Sequence, residues 1–438
     1  MSTDTSTMNA RVLPLAEHGI KKRRVDRFAI QVIRTLNEAG YHGYIVGGGV
    51  RDLLLDMKPK DFDIATDATP EQVRGLFRRS RIIGRRFRLV HVYTRGELLE
   101  VATFRGPANA QANKTCENSG RILSDNSYGS MAEDAIRRDF TINALFYDPL
   151  AEEIHDFVGG YEDLKQRLLR VIGDPELRYR EDPVRVLRAA RFTAKLGVKT
   201  DAASEEPIVE AGKLLANVPP ARLFDEVLKL LLSSHAAASF AALQHWGLLH
   251  QLFPQLQCNS SGVVNEGPLL KQAMANTDER VQQGKPVTPA FLYAALLWEP
   301  LNKRASHYQE KGYSAQDALI VAGDEVIATQ CKVTAIPRRF SAVTRGIWSM
   351  QPRFAKTQGA RAWRLLNERK FRAAYDFLIL RSLEDESLVP LVKWWTDIQE
   401  LSHEEQEKLI FKSGKSGRRR PARKDRPTTK PVANQDDC

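Results

Sequence analysis

Residues 44 to 66 read Y-I-V-G-G-G-V-R-D-L-L-L-D-M-K-P-K-D-F-D-I-A-T, and the fold is decided there. Tyr44, Ile45 and Val46 predict a short buried strand, Gly47, Gly48 and Gly49 follow at once, and Val50 to Leu55 begin a helical run. Glycines let the backbone approach an anion closely. The new helix turns its free N–H groups and positive dipole end to the same place, with Arg51 in its first turn. Lys58-Pro59-Lys60 breaks the helix. Asp61 to Ile64 then predicts a second strand, whose side-chain period of two puts Asp61 and Asp63 on one face and Phe62 and Ile64 on the other. Two carboxylates beside a glycine loop suited to a triphosphate make a site for two divalent cations. One would sharpen an attacking hydroxyl and the other steady the leaving pyrophosphate, given a further carboxylate to help bridge them. A glycine triplet alone is most often a turn, and Asp-x-Asp occurs on many solvated strands. The order strand, glycines, helix, strand, with Arg51 and Lys60 at hand, points to chemistry.

Downstream, Leu98 to Phe104 (L-L-E-V-A-T-F) predicts another strand, in which Glu100 is the odd residue. A buried carboxylate is too costly to leave unpaired, so Glu100, if buried, should meet an arginine or the metals. Gly106 to Ser130, rich in Asn, Gly, Ser and Ala, predicts a mobile loop over the site. Arg137-Arg138-Asp139 follows; on bare chemistry it reads as a surface ion-pair cluster. In the stretch from Tyr179 to Phe192, Asp182 reads as an N-cap with Pro183 at the first helical position. Leu187, Ala190 and Ala194 then gather on a packing flank. Arg185, Arg188 and Lys195 gather on an anion-facing one, with Arg191 at its border.

The glycine and aspartate stretch, G-G-G-V-R-D-L-L-L with K-P-K-D-F-D-I-A-T, resembles the head signature of the class II nucleotidyltransferases, the group holding bacterial poly(A) polymerases and CCA-adding tRNA nucleotidyltransferases. R-R-D-F-T-I-N-A-L (137–145) is similar to a second signature of that family, and E-D-P-V-R (181–185) to its base-recognition element. The resemblance implies an α+β fold: a nucleotidyltransferase head with a small mixed sheet, then helical neck and body domains. It implies Asp61, Asp63 and Asp139 as catalytic carboxylates, and Mg²⁺ ions on Asp61 and Asp63, with Glu100 a further candidate ligand. Gly47, Gly48, Arg51 and Arg138 would hold the triphosphate of ATP. Asp182 and Arg185 would meet its base, with Arg188 and Arg191 beside them. The implied reaction is template-independent transfer of AMP from ATP to an RNA 3′-hydroxyl, with release of pyrophosphate.

The 438 residues are expected to divide into a basic arm (1–25), the head (26–170), a neck (171–235), a body (236–405) and a disordered basic tail (406–438). A formal charge of +11 asks for an anionic partner, and RNA is the first candidate. In the tail, Lys412 to Lys430 holds nine basic residues against Asp425 alone. Among them Arg418, Arg419, Arg420, Arg423 and Lys424 would add salt-sensitive, sequence-blind affinity for RNA. Arg338, Arg339, Arg345, Arg353, Lys356, Arg361 and Arg364, interleaved with Trp348, Phe354 and Trp363, could contact phosphates and stack bases, although aromatics at helical spacing are more often core. Cys116, Cys258, Cys331 and Cys438 lie far apart, without metal-ligand spacing, as reduced thiols would. The opening residues lack a signal-peptide core and no run is long enough to span a bilayer, so a cytoplasmic monomer is expected.

Within the family, three features favour the poly(A)-adding branch over the CCA-adding one. I-I-G-R-R-F-R-L-V-H-V (82–92) resembles the pattern of that branch, the basic tail suits promiscuous RNA binding, and no histidine-rich phosphohydrolase domain follows the neck. A catalytically inactive RNA-binding protein is the rival of another class. It gains nothing from carboxylates placed near phosphates.

Overall fold

The computed structural model describes residues 8–84, 88–94, 96–106, 127–259 and 263–411. Most of the Gly106–Ser130 loop, and the tail residues Arg418, Arg419, Arg420, Arg423 and Lys424, lie outside them. Two compact units divide the chain, Met1–Trp348 and Ser349–Cys438.

The first unit is built on a mixed sheet. Its strands are β1 (Arg11–Pro14), β2 (Gly43–Val46), β3 (Asp63–Thr66), β4 (Ser80–Ile83), β5 (Leu89–Tyr93), β6 (Leu98–Thr103), β7 (Leu145–Asp148) and β8 (Glu153–Asp156). They lie in the order β1-β8-β7-β2-β3-β6-β5-β4. Only β3 and β6 run parallel; the other neighbours are antiparallel. The core over one face combines Ile45, Ile64 and Val101 of the strands with Ala29, Val32, Ile33 and Leu36 of the Arg27–Glu38 helix. Asp26 caps that helix by accepting the N–H groups of Phe28 and Ala29. Gly40 leaves it at φ 85°, a conformation that costs a glycine little. Thr69 and Gln72 close a reciprocal capping box on the Pro70–Leu76 helix.

Residues 8–24, expected as part of a basic arm, instead contribute to the head. Arg11–Pro14 pairs with β8 as an edge strand, with Leu13 fully buried and Val12 outward. A single alternation over four residues is too short a signal to read as a strand. His155-Asp156 is structural too. The Asp156 carboxylate, 4% exposed, accepts the backbone N–H groups of Val158, Gly159, Gly160 and Tyr161 at 2.9–3.1 Å and so fastens the Gly160–Lys165 helix to β8. Replacing Asp156 by alanine orphans these buried donors. The expected cost is about 3 kcal/mol, read as a lowered unfolding midpoint.

Beyond Val171 the unit is mostly helical. Pro175–Glu181, Val184–Leu196 and Pro220–Leu231 are its first long helices. Asp182 departs from its expected place: it is the C-cap of the first, and Pro183 is the N-cap of the second. Its Oδ1 accepts from Val184 N at 3.4 Å, a weak remnant of the predicted cap.

Trp348 is core, 1% exposed, donating its indole N–H to the Ala294 carbonyl at 3.1 Å. The second unit has its own core, in which Phe354 is fully buried and accepts the Trp395 indole N–H on its carbonyl at 3.0 Å. Trp363 packs edge-on against His403, ring centroids 4.8 Å apart. The aromatics suggested as base-stacking surfaces therefore serve packing. The His403–Phe411 helix also carries order past residue 406, where the tail was expected to begin.

Candidate active site

Sheet register assembles the site. Val46, the last residue before the glycines, pairs with Asp63 across β2 and β3, and with Phe146 across β2 and β7. Asp63 in turn pairs with Glu100 on β6. The glycine turn, the aspartates and the segment before β7 thus meet at one sheet end. The cleft there, about 650 Å³, is lined by Gly47, Gly48, Arg51, Asp52, Lys60, Asp61, Asp63, Arg105, Arg137, Arg138, Asp139, Asn143, Asp182, Arg185, Arg188, Arg191, Phe192, Lys195, Arg222, Glu226 and Lys229. Eleven cationic side chains face six carboxylates, so the cleft as a whole attracts an anion.

Gly47 sits at φ 66° and ψ −130°, where a side chain would be strained, and starts the Gly48–Leu54 helix. A Cβ on Gly49 would meet the Phe62 ring at 3.2 Å and the Asp61 carbonyl at 3.5 Å. Both positions keep the turn flat against the aspartates. Asp61 lies just before β3, which begins at Asp63 and not, as expected, at Asp61. Asp63 is pushed up to about 6 by the protein mass around the cleft, then by Glu100 and Asp61, against the opposing charge of Arg138. Glu100 and Asp61 both press their charge on Asp63 at this sheet end.

Glu100 does not meet the condition of burial set for it. The run alternates, with Leu99 and Val101 inward, and the Glu100 side chain is 49% exposed, 3.4 Å from His91 Nε2. Its partner is a histidine of β5 and not an arginine.

Arg51 differs most from expectation. It is 3% exposed, gives Nε and one terminal nitrogen to Asp52 Oδ1 at 2.9 and 2.6 Å and the other to Asn143 Oδ1 at 2.6 Å, and lies over the Phe192 ring. Asp52 in turn latches the glycine-turn helix to the Val184–Leu196 helix, whose Lys195 donates to its Oδ2 at 3.0 Å. Arg138 holds Asp134 at 2.8 Å and the Asn143 carbonyl at 3.2 Å, within reach of Asp63's charge.

Asp139 lines the cleft with its oxygens already engaged. Oδ1 accepts from Phe140 N at 2.9 Å and Asn143 Nδ2 at 3.1 Å, and Oδ2 from Arg188 Nε at 2.6 Å. Burial alone would raise its pKa, but the Arg188 charge, with these hydrogen bonds, holds it down at about 2. Asp182 Oδ2 accepts from Arg222 at 2.7 Å, and Arg185 donates to Glu181 and to the Arg178 carbonyl. Arg191 is buried enough to be lowered in pKa by desolvation and by Arg188, and its Nε has no hydrogen-bond partner.

Sequence reading missed Asn143, Asp52, Arg222 and Arg178, and placed Lys195 on an anion-facing flank without its partner Asp52. Arg178 donates to the carbonyls of Arg137 and Arg138 at 2.8 and 2.7 Å and so fixes that turn. The one local signal was the Arg51-Asp52 dipeptide itself, an ion pair between sequence neighbours.

Family comparisons match three segments: residues 43–170 to "Poly A polymerase head domain", 197–259 to "Probable RNA and SrmB- binding site of polymerase A", and 311–430 to "Polymerase A arginine-rich C-terminus". The chain is 46% identical over 397 residues to Poly(A) polymerase I of Escherichia coli O6:H1, covering 89% of this chain and 85% of that one. To Poly(A) polymerase I of Haemophilus influenzae it is 42% identical over 417 residues, 93% and 92% of the two chains. A CCA-adding enzyme of Lactobacillus helveticus is 37% identical over 241 residues, 52% of this chain and 59% of that one. Among solved structures, the Bacillus stearothermophilus CCA-adding enzyme in complex with CTP superposes with a TM-score of 0.56 at 25% identity, over 85% of this chain and 82% of that one. A CCA-adding enzyme in an apo form gives 0.61 at 21% identity, over 93% and 92%.

Proposed function

The chain belongs to the poly(A) polymerase family and is a template-independent nucleotidyltransferase of it, adding AMP from ATP to RNA 3′ ends; from that premise we propose which residues carry the reaction. The observation that carries the proposal is the β2–β3 register, which sets Asp61 and Asp63 against the Gly47–Gly48 turn in one cationic cleft.

The triphosphate lies along the turn. The free N–H groups at the start of the Gly48–Leu54 helix and the guanidinium of Arg138 face its oxygens. Mg²⁺ fits the donor set: Asp61 and Asp63 offer hard carboxylate oxygens whose mutual crowding a cation relieves, and phosphates supply further ligands in sites of this kind. Glu100, paired in register with Asp63, is the further carboxylate on that face. When bound, the metal lowers the pKa of the attacking hydroxyl and offsets charge on the departing pyrophosphate. The protein's share is placement. Asp61 and Asp63 fix where the primer 3′-oxygen meets the α-phosphorus, and the arginines compensate charge as the phosphate bond breaks.

Asp182 and Arg185 meet the base. Arg222 and Glu181 hold them in place, so they present one fixed acceptor and one fixed donor edge. Rigid polar groups of this kind favour a base that carries an amine beside a ring nitrogen, as adenine does. Arg51 and Asp139 act by positioning: Arg51 is 3% exposed and held against Asp52 and Asn143, and both Asp139 oxygens accept hydrogen bonds inside the protein. RNA is the partner, held beyond the cleft by the basic regions. Among the described residues no helix is long and apolar enough to cross a membrane, and we place the enzyme in the cytoplasm.

An RNA primer unrelated to tRNA, offered ATP alone or CTP alone, tests this reading. Long A-tails with ATP and little product with CTP are expected. Growth confined to tRNA lacking its end, stopping after three nucleotides, would overturn it in favour of CCA addition.

A further inference from the structure

Asn143 carries no charge, yet the cleft's polar groups converge on it. It is 6% exposed. Its Oδ1 accepts from Arg51 at 2.6 Å, its Nδ2 donates to Asp139 Oδ1 at 3.1 Å, and its main-chain carbonyl accepts from Arg138 at 3.2 Å. Chemistry fixes the orientation of the amide, because a guanidinium can only donate and a carboxylate can only accept. Both arms then reach the same helix. Arg51 holds Asp52, which holds Lys195 at 3.0 Å, and Asp139 holds Arg188 at 2.6 Å. Lys195 and Arg188 are two turns apart on the Val184–Leu196 helix, which starts at the base-reading segment.

We infer that Asn143 is a positioning residue of the nucleotide site: one amide that both gives and accepts sets the glycine-turn helix and the base-reading helix in register with each other. The inference rests on the reading above, in which the turn holds phosphates and the second helix holds the base. A side chain with only one kind of hydrogen-bonding group breaks one arm. A carboxylate keeps Arg51 but sets a second negative charge against Asp139. An apolar side chain leaves both Arg51 and Asp139 short of a partner. Asn143 also governs Arg138 through its carbonyl, which lies 4.0 Å from where a Cβ on Gly47 would be.

The swap of the pair tests this. In Asn143→Asp, kcat for AMP addition should fall roughly 10- to 100-fold, as for loss of other groups that orient functional side chains. Adding Asp139→Asn restores a donor facing an acceptor at that contact, sets the new carboxylate on Arg51 and still offers Arg188 an amide oxygen, at the cost of the acceptor that the Phe140 N–H has on Oδ1. The double variant should recover part of the lost kcat. Asn143→Ser, small enough to fold, should lose kcat to an intermediate extent. Thermal unfolding read in parallel separates placement from bulk stability, because a merely structural role lowers the midpoint and leaves kcat per folded molecule unchanged. A folded Asn143→Ser enzyme with wild-type kcat overturns the inference, and so does a double variant no better than Asn143→Asp. If the unmodified chain fails to extend an RNA with ATP, the functional reading falls instead, and the two failures are told apart.

Discussion

Asp63→Ala and Asp61→Ala enzymes will each add AMP at least about 1,000-fold more slowly than the unmodified chain, while unfolding at the same temperature or above it. The two halves of this expectation have one cause. Asp61 and Asp63 share a sheet end with Glu100, and the protein around them together with Glu100 already drives Asp63 up to about 6. Such crowding disfavours the folded state. It persists where a cation and a triphosphate use it. Removing one carboxylate relieves the repulsion and takes away a metal ligand in the same step. Initial-rate measurements on an RNA primer, with a thermal melt of each variant, check both halves. A variant that keeps wild-type extension would end the two-carboxylate mechanism, and one that loses activity only because it unfolds would show a structural role.

What the sequence disclosed was local. The glycine turn and the strand from Tyr44 to Val46 each rest on residues within one or two turns of each other. The aspartates were legible as acids two positions apart, although only Asp63 lies in the strand that the period of two assumed. What escaped was set by partners far along the chain. Arg51 reads as a phosphate ligand until Asn143, 92 positions on, takes its guanidinium. Asp139 reads as a catalytic acid until Arg188, 49 positions on, takes its Oδ2, and Lys195 reaches Asp52 across 143. Charge alone could not assign these roles, because an arginine near glycines suits a phosphate and a carboxylate equally. Glu100 and Trp348 each left two readings open that only the tertiary fold decides: one polar residue in an apolar run lies outward, and one aromatic among arginines lies in the core. Burial belongs to the tertiary fold, and a single segment carries only a hint of it.

Arg188→Met will cost about 3 kcal/mol of stability at pH 8, and the deficit will shrink as the pH falls to 5. Methionine keeps much of the arginine stem, so packing is largely spared. The Asp139 carboxylate, 11% exposed at its side chain, loses its counter-ion. In the unmodified protein Asp139 is held at about 2, below its ordinary value, chiefly by the charge of Arg188 working against burial. A depressed carboxylate contributes stability that is fully present above the ordinary carboxylate pKa of about 4 and is lost only as the pH drops from there towards 2. The unmodified chain should therefore show no Asp139-dependent change between pH 5 and 8. Without Arg188 the sign reverses. Burial now dominates, the folded-state pKa rises above the unfolded one, and stability is lost as the pH climbs through that raised value. The donors from Phe140 and Asn143 remain and moderate the rise. Urea midpoints for both proteins at pH 5, 6.5 and 8 measure the difference directly. A gap that is constant across that range would mean that Arg188 stabilises through packing and not as the counter-ion of Asp139, and the positioning role assigned to Asp139 would lose its support.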